Sequence, residues 1–228
     1  MNPMKSEKTV FKTKDGVEVS GDYYPADGAG AVILLHMMPK AKESWRDFAL
    51  KLNENGFSAL AIDLRGHGES TKGKGGRVLD YEKFSDREHQ ESIKDIEAAA
   101  DFLAERGIKT NNIALVGASI GANLALRYQT EHPDVAFSAL LSPGLDYRGV
   151  KTEPLAEKIG SGQFVFLAAG GEGDEYSTES AEKLHGLLDC AKEIKIMDGA
   201  GHGTNMFLKN PELADKIVEL LADVLKSK

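Results

Sequence analysis

Apolar runs of four to six residues recur along this chain, separated by longer segments of helical spacing. The run at 31–35 is continuous rather than alternating, the pattern of a strand buried on both faces, and 57–62, 113–116, 137–141, 164–168 and 194–197 are the further strands expected. Between them, 45–52, 87–105, 180–188 and 211–225 carry helical spacing, and a further helix starts at or just after Ser119. Pro211 opens the last helix at a position where a missing N–H costs nothing. Segments 9–13 and 17–24 read as two strands joined across Lys14-Asp15-Gly16, a turn signal that makes them an antiparallel edge.

About eight strands alternating with helices predict an α/β fold, a mostly parallel eight-stranded sheet with helices on both faces. Residues 1–228 are expected to form a single domain. Ligands of such sheets bind beyond the carboxyl ends of the strands, so polar residues just past those ends are where chemistry is expected.

Composition narrows the functional classes. Hydrophobic residues make up 41% and charged residues 28%, an ordinary soluble balance. The net charge is −8 with no basic block, which argues against a nucleic-acid partner. The one cysteine, Cys190, has no internal disulfide partner, and no cluster shows metal-ligand spacing. No run of some 18 apolar residues suits a membrane span, and residues 1–11 lack the apolar core of a signal peptide, so no membrane association and a cytoplasmic location are expected.

Gly117-Ala118-Ser119-Ile120-Gly121 follows one buried strand and precedes a helix. This is the Gly-x-Ser-x-Gly elbow in its strand-turn-helix setting, where small residues admit a sharp turn that exposes the serine. With 24 glycines and 14 serines in 228 residues, roughly 0.15 matches arise by chance, so the setting carries the argument. A serine hydroxyl needs a base, and the base needs a group to orient it. Three histidines follow Ser119, and His132 and His185 fall within or at the end of helices. His202 sits in Asp198-Gly199-Ala200-Gly201-His202-Gly203, directly after a strand, and is the candidate base. Asp174, beyond strand 164–168, is the candidate acid, with Asp146 as the main alternative and Glu172 and Glu175 nearer ones.

Acyl transfer also needs two N–H donors for the developing oxyanion. Ile120 supplies the first, and the second falls in His36-Met37-Met38-Pro39, where Pro39 has no N–H. Met38 is preferred over Met37.

With these residues in place, the chain resembles the α/β-hydrolase superfamily over essentially its whole length, most closely the small dienelactone-hydrolase-like and carboxylesterase-like members. The likeness rests on Leu35 to Pro39, on Asp63-Leu64-Arg65-Gly66-His67-Gly68-Glu69-Ser70, and on the elbow with Asp174 and His202 behind it. Met37 stands where the family usually has glycine, and Ser119 where dienelactone hydrolases proper use cysteine. His67 precedes the nucleophile, in a turn that the family uses structurally.

The resemblance implies a serine hydrolase that cleaves small carboxylic esters through an acyl-enzyme, with no cofactor or metal. Thioesterase, amidase and acyltransferase activities share the same triad, and some members of the superfamily bind ligands without catalysis. About 22 residues separate 141 from 164. They leave room for one short helix, expected at 152–159, so little or no cap and a preference for short acyl groups are expected. Trp45, Met37, Met38, Tyr81 and Phe84 are the expected apolar walls.

Overall fold

The computed structural model describes residues 6–28 and 30–226. Its strands are β1 (Glu7–Lys12), β2 (Glu18–Tyr24), β3 (Ala31–Leu35), β4 (Ser58–Ile62), β5 (Ile113–Ala118), β6 (Phe137–Leu141), β7 (Asp146–Tyr147), β8 (Val150–Lys151), β9 (Phe164–Ala169) and β10 (Ala191–Ile196). Eight of them form one sheet in the order β1-β2-β4-β3-β5-β6-β9-β10, while β7 and β8 make a separate two-stranded hairpin. Strand β2 runs antiparallel to both its neighbours, and the pairs from β4 through β10 are parallel. The strand order reverses direction between β3 and β5, the switch point where open α/β sheets bind ligands.

The helices are α1 (Arg46–Glu54), α2 (Asp86–Gln90), α3 (Ile93–Ala104), α4 (Ile120–Glu131), α5 (Glu153–Ala156), α6 (Glu175–Leu187), α7 (Met206–Lys209) and α8 (Glu212–Lys226). Alternate residues of the central strands feed two separate apolar cores. Ile33, Leu35 and Leu115 pack with α3, α4 and α6 on one face. Val32, Leu34 and Val116 pack with α1 and α8 on the other. This two-sided burial is why β3 is apolar at every position and why β5 and β6 are buried throughout, with Ser138 of β6 donating its buried hydroxyl to Gln129.

Two of the expected helices come out broken or shortened. The helix expected over 87–105 is broken at Glu91-Ser92 into α2 and α3. There Lys94 and Asp95 bond three residues back, to the Glu91 and Ser92 carbonyls, and Arg127 Nη1 takes the Gln90 carbonyl at 3.2 Å. The helix expected over 152–159 is a single turn, α5, packed against α4 and α6.

The loop after β4 is held by charges. Lys42 Nζ lies 2.8 Å from Asp63 Oδ2 and 2.9 Å from Glu69 Oε2, with the lysine 1% and the aspartate 0% exposed. The Asp63 carboxylate also accepts from the Lys42 and Glu69 backbone N–H groups. Replacing Asp63 with alanine strands a buried ammonium, so Asp63→Ala is expected to cost about 3 kcal/mol in urea unfolding. A loss under 1 kcal/mol would show that the exposed Glu69 and Glu43 carboxylates alone satisfy the lysine.

Candidate active site

The register of the sheet lines up the strand ends from which the candidate residues emerge. Leu35 pairs with Gly117, Ala118 with Leu141, Leu141 with Ala168, and Ala169 with Ile196. Ser119, Ser142, the Gly170–Asp174 loop and the loop bearing His202 therefore start from adjacent positions along one edge.

Ser119 stands between β5 and α4 with φ 54° and ψ −121°. An L-residue in this region carries strain of about 1–3 kcal/mol, which the surroundings must impose. They do so by backbone packing. A side chain on Gly117 would collide with the Gly121 carbonyl, and one on Gly121 with the Leu35 carbonyl. Ser119 N donates to Leu141 O at 2.8 Å, and Ser119 O accepts from Ala122 N at 2.9 Å. The serine is thus pinned on both sides, half-buried, at the head of α4.

His202 and Asp174 meet directly. His202 Nδ1 lies 2.7 Å from Asp174 Oδ1. The other carboxylate oxygen accepts from Ser142 Oγ at 2.6 Å and from Gly170 N at 3.1 Å. Asp174 sits at the position before α6 where an aspartate ordinarily caps its own helix, but its side chain makes no cap bond. It is turned instead toward the histidine. Burial opposes its ionisation, and the bonds from His202, Ser142 and Gly170 outweigh that, holding its carboxyl below the ordinary value.

The alternatives for the acid lie elsewhere. Asp146 is exposed, and its Oδ1 accepts from Gly149 N at 2.7 Å within the β7–β8 hairpin. Glu172 and Glu175 are exposed, the latter bonded to Gly173 N at 2.9 Å.

After β3, Met37 and Met38 diverge. Met37 is 4% exposed and its side chain lies beside Gly203 and Ala118, below the histidine loop. Met38 packs partly buried on the opposite core, before a cis bond to Pro39, and Lys40 N closes the turn onto Met37 O at 2.8 Å. His36 is fully buried, with Nε2 accepting from Leu64 N at 3.0 Å and Nδ1 donating to Met37 O at 3.1 Å. Burial pushes it down to about 4, so it is neutral. It fastens the loop after β4 to the loop after β3.

His67, also buried, bonds the Arg65 carbonyl through Nδ1 and stacks on Tyr81 at 3.9 Å, and burial lowers it to about 3. Trp45 is not a wall of the site. It is 0% exposed, packed between Phe48 and Phe207 in the core with α1 and α8. Phe84 lines a separate cavity of about 430 Å³, with Asp15, Arg65 and Lys94, which no candidate residue borders.

Two residues of this arrangement escaped the sequence reading. Ser142 is fully buried, has φ 50°, donates to Asp174 and accepts from Gly203 N at 2.8 Å. It thereby joins the acid to the histidine loop. Its signal was its place immediately after the run 137–141. Tyr147 has a ring edge-on to His202, centroids 6.5 Å apart, and a hydroxyl that hydrogen-bonds with Ser177 and lies near Ser119. Nothing in its local pattern marks it. Among the described residues, no three or more His, Cys, Asp or Glu side chains are grouped to hold a metal ion. No helix among them is long and apolar enough to cross a membrane.

A reversed parallel sheet with a strained serine at the elbow after β5, and an aspartate–histidine pair beyond β9 and β10, defines an α/β-hydrolase. The chain belongs to the family described as serine aminopeptidase, S33, whose model matches residues 26–163. It is 30% identical over 143 residues to a bifunctional esterase/perhydrolase of Acinetobacter calcoaceticus, a match covering 62% of this chain and 46% of that protein. It is 30% identical over 124 residues to a non-heme chloroperoxidase of Kitasatospora aureofaciens, covering 54% of this chain and 38% of the other. The chain thus matches less than half the length of these curated relatives. The esterase Pf2001 of Pyrococcus furiosus shares the fold with TM-score 0.77 and 19% identity, over 96% of this chain and 92% of that one.

Proposed function

We propose that the protein hydrolyses carboxylic esters of small molecules through an acyl-enzyme on Ser119. The observation that carries this reading is the 2.7 Å contact between His202 Nδ1 and the buried Asp174 carboxylate. That contact fixes the proton on Nδ1 and leaves Nε2 as the acceptor for the serine proton.

Ser119 Oγ attacks the ester carbonyl as its proton passes to His202, and the electron pair moves onto the carbonyl oxygen. The N–H groups of Ile120 and Met38 hold that oxyanion. The tetrahedral adduct collapses, the C–O bond breaks, and the imidazolium proton goes to the departing alcohol. Water then repeats the sequence on the acyl-enzyme, releasing the acid and regenerating Ser119. Asp174 stabilises the imidazolium in both halves.

The names of an esterase/perhydrolase and an esterase among the similar proteins support the ester as the bond cleaved. The serine aminopeptidase description of the family makes the amide the comparison to include.

A fluorophosphonate probe, which labels only an activated serine, is expected to modify Ser119, and p-nitrophenyl acetate is expected to turn over faster than the matching anilide. No labelling, or preferred anilide cleavage, would overturn the ester reading. The segment between β6 and β9 holds only the β7–β8 hairpin and α5, about 6 Å long at 1.5 Å per residue. Esters of acetate and butyrate are therefore expected to show higher kcat/KM than octanoate and palmitate, with no rise above the micellar concentration. Preference for palmitate with interfacial activation would contradict the uncapped site.

A further inference from the structure

The short hairpin beyond β6 is fastened in place more firmly than its length suggests. Its turn residues Arg148 and Gly149 have φ 54° and 76°, the left-handed pair of a two-residue turn, with Tyr147 opposite Val150. Asn123, fully buried one turn after Ser119 in α4, holds both ends of it. Asn123 Oδ1 accepts from Gly144 N at 3.0 Å, and its Nδ2 donates to Val150 O at 2.8 Å. From the other side, the Tyr176 hydroxyl of α6 accepts from Asp146 N at 2.9 Å and donates to Asp146 O at 3.2 Å.

This clamp fixes one side chain over the serine. The Tyr147 ring meets Tyr176 edge-on at 5.6 Å and His202 edge-on at 6.5 Å. It lies flat enough on the backbone that a side chain at position 144 would stand 2.5 Å from it, which only Gly144 avoids. Its hydroxyl is 3.0 Å from Ser177 Oγ. Burial raises the phenol above its ordinary value, while the hydrogen bond with Ser177 and the nearby Ser119 hydroxyl draw it partly back. The tyrosine therefore stands beside both the serine and the imidazole.

We infer that Tyr147 sets the size of the alcohol this site can release. The inference rests on the serine–histidine reading proposed above. The imidazole that takes the serine proton must hand it to the leaving oxygen, so the alcohol part of the ester lies on the His202 side of the scissile carbon. The Tyr147 ring bounds that side, and a hairpin tied at both ends to α4 does not swing away to admit a bulky group. Its role is to limit specificity, and it carries no proton in the reaction.

The test uses two acetates, methyl and 1-naphthyl, which give the same acetyl-enzyme and differ only in the alcohol. Relative to wild type, Tyr147→Ala is expected to raise the naphthyl-to-methyl ratio of kcat/KM by about tenfold or more, the scale of a reshaped apolar pocket. Tyr147→Trp is expected to lower the ratio, and Tyr147→Phe, which keeps the ring, to preserve it. Should the alanine variant fail to fold in a thermal melt, the tryptophan variant decides. An unchanged ratio in the folded variants, with probe labelling of Ser119 intact, overturns the role of Tyr147 alone. Absent labelling of the wild-type protein overturns the reading beneath it.

Discussion

Ser119→Ala is expected to fold normally and to lose ester turnover by about three orders of magnitude or more. The substitution is clean because the strain at this position belongs to the backbone. At φ 54° alanine and serine carry the same Cβ, and the bonds from Ser119 N to Leu141 O and from Ala122 N to Ser119 O involve no side chain. Removing the hydroxyl leaves those contacts, the loop N–H groups and the Asp174–His202 pair in place, so the thermal midpoint should move by only a few degrees. Residual activity would come from water attacking an ester held against the oxyanion donors. Fluorophosphonate labelling should vanish in parallel. A folded variant that keeps labelling or turns over within tenfold of wild type would remove Ser119 from the reaction.

The parts of the fold legible in sequence were those whose burial is complete. Runs 31–35 and 137–141 coincide with β3 and β6 because both faces of those strands are covered, so each begins and ends on a buried apolar residue. Strand β10 was read three residues late, since Ala191, Lys192 and Glu193 lie at the sheet's edge and tolerate polar side chains. The break between α2 and α3 was invisible because its cause is tertiary, a carbonyl captured by Arg127 from another helix.

The same division runs through the site. Ser119 announces itself through glycines required by local backbone crowding. Asp174 and His202 could be picked by their place after strands, and the structure brings those two together. Ser142 and Tyr147 owe their positions to bonds that span 21 to 32 residues, from Ser142 to Asp174, from Gly144 to Asn123 and from Tyr147 to Ser177. No local pattern encodes such partners. Trp45 misled for the converse reason: a large aromatic near a candidate loop reads as a wall, yet core packing had the stronger claim on it.

Asp174→Asn is expected to lower kcat by about three to four orders of magnitude while leaving KM within severalfold of wild type. The reason lies in what surrounds the carboxylate. Its Oδ2 accepts from Gly170 N, a backbone donor that cannot be reversed, and from Ser142 Oγ, which is itself engaged by Gly203 N. An asparagine must therefore place its carbonyl oxygen there and turn its NH₂ toward His202 Nδ1. Facing a donor, Nδ1 must become the acceptor, which moves the imidazole proton to Nε2 and removes the base that Ser119 needs. Asp146→Asn provides the control. An asparagine there still accepts from Gly149 N through its own oxygen, and its side chain is solvent-exposed, so kcat should stay within about threefold of wild type. Steady-state kinetics on one acetate ester, with thermal melts of both variants, decides between the two carboxylates. If Asp146→Asn proves the more damaging, the acid belongs to the hairpin and the Asp174–His202 contact is structural.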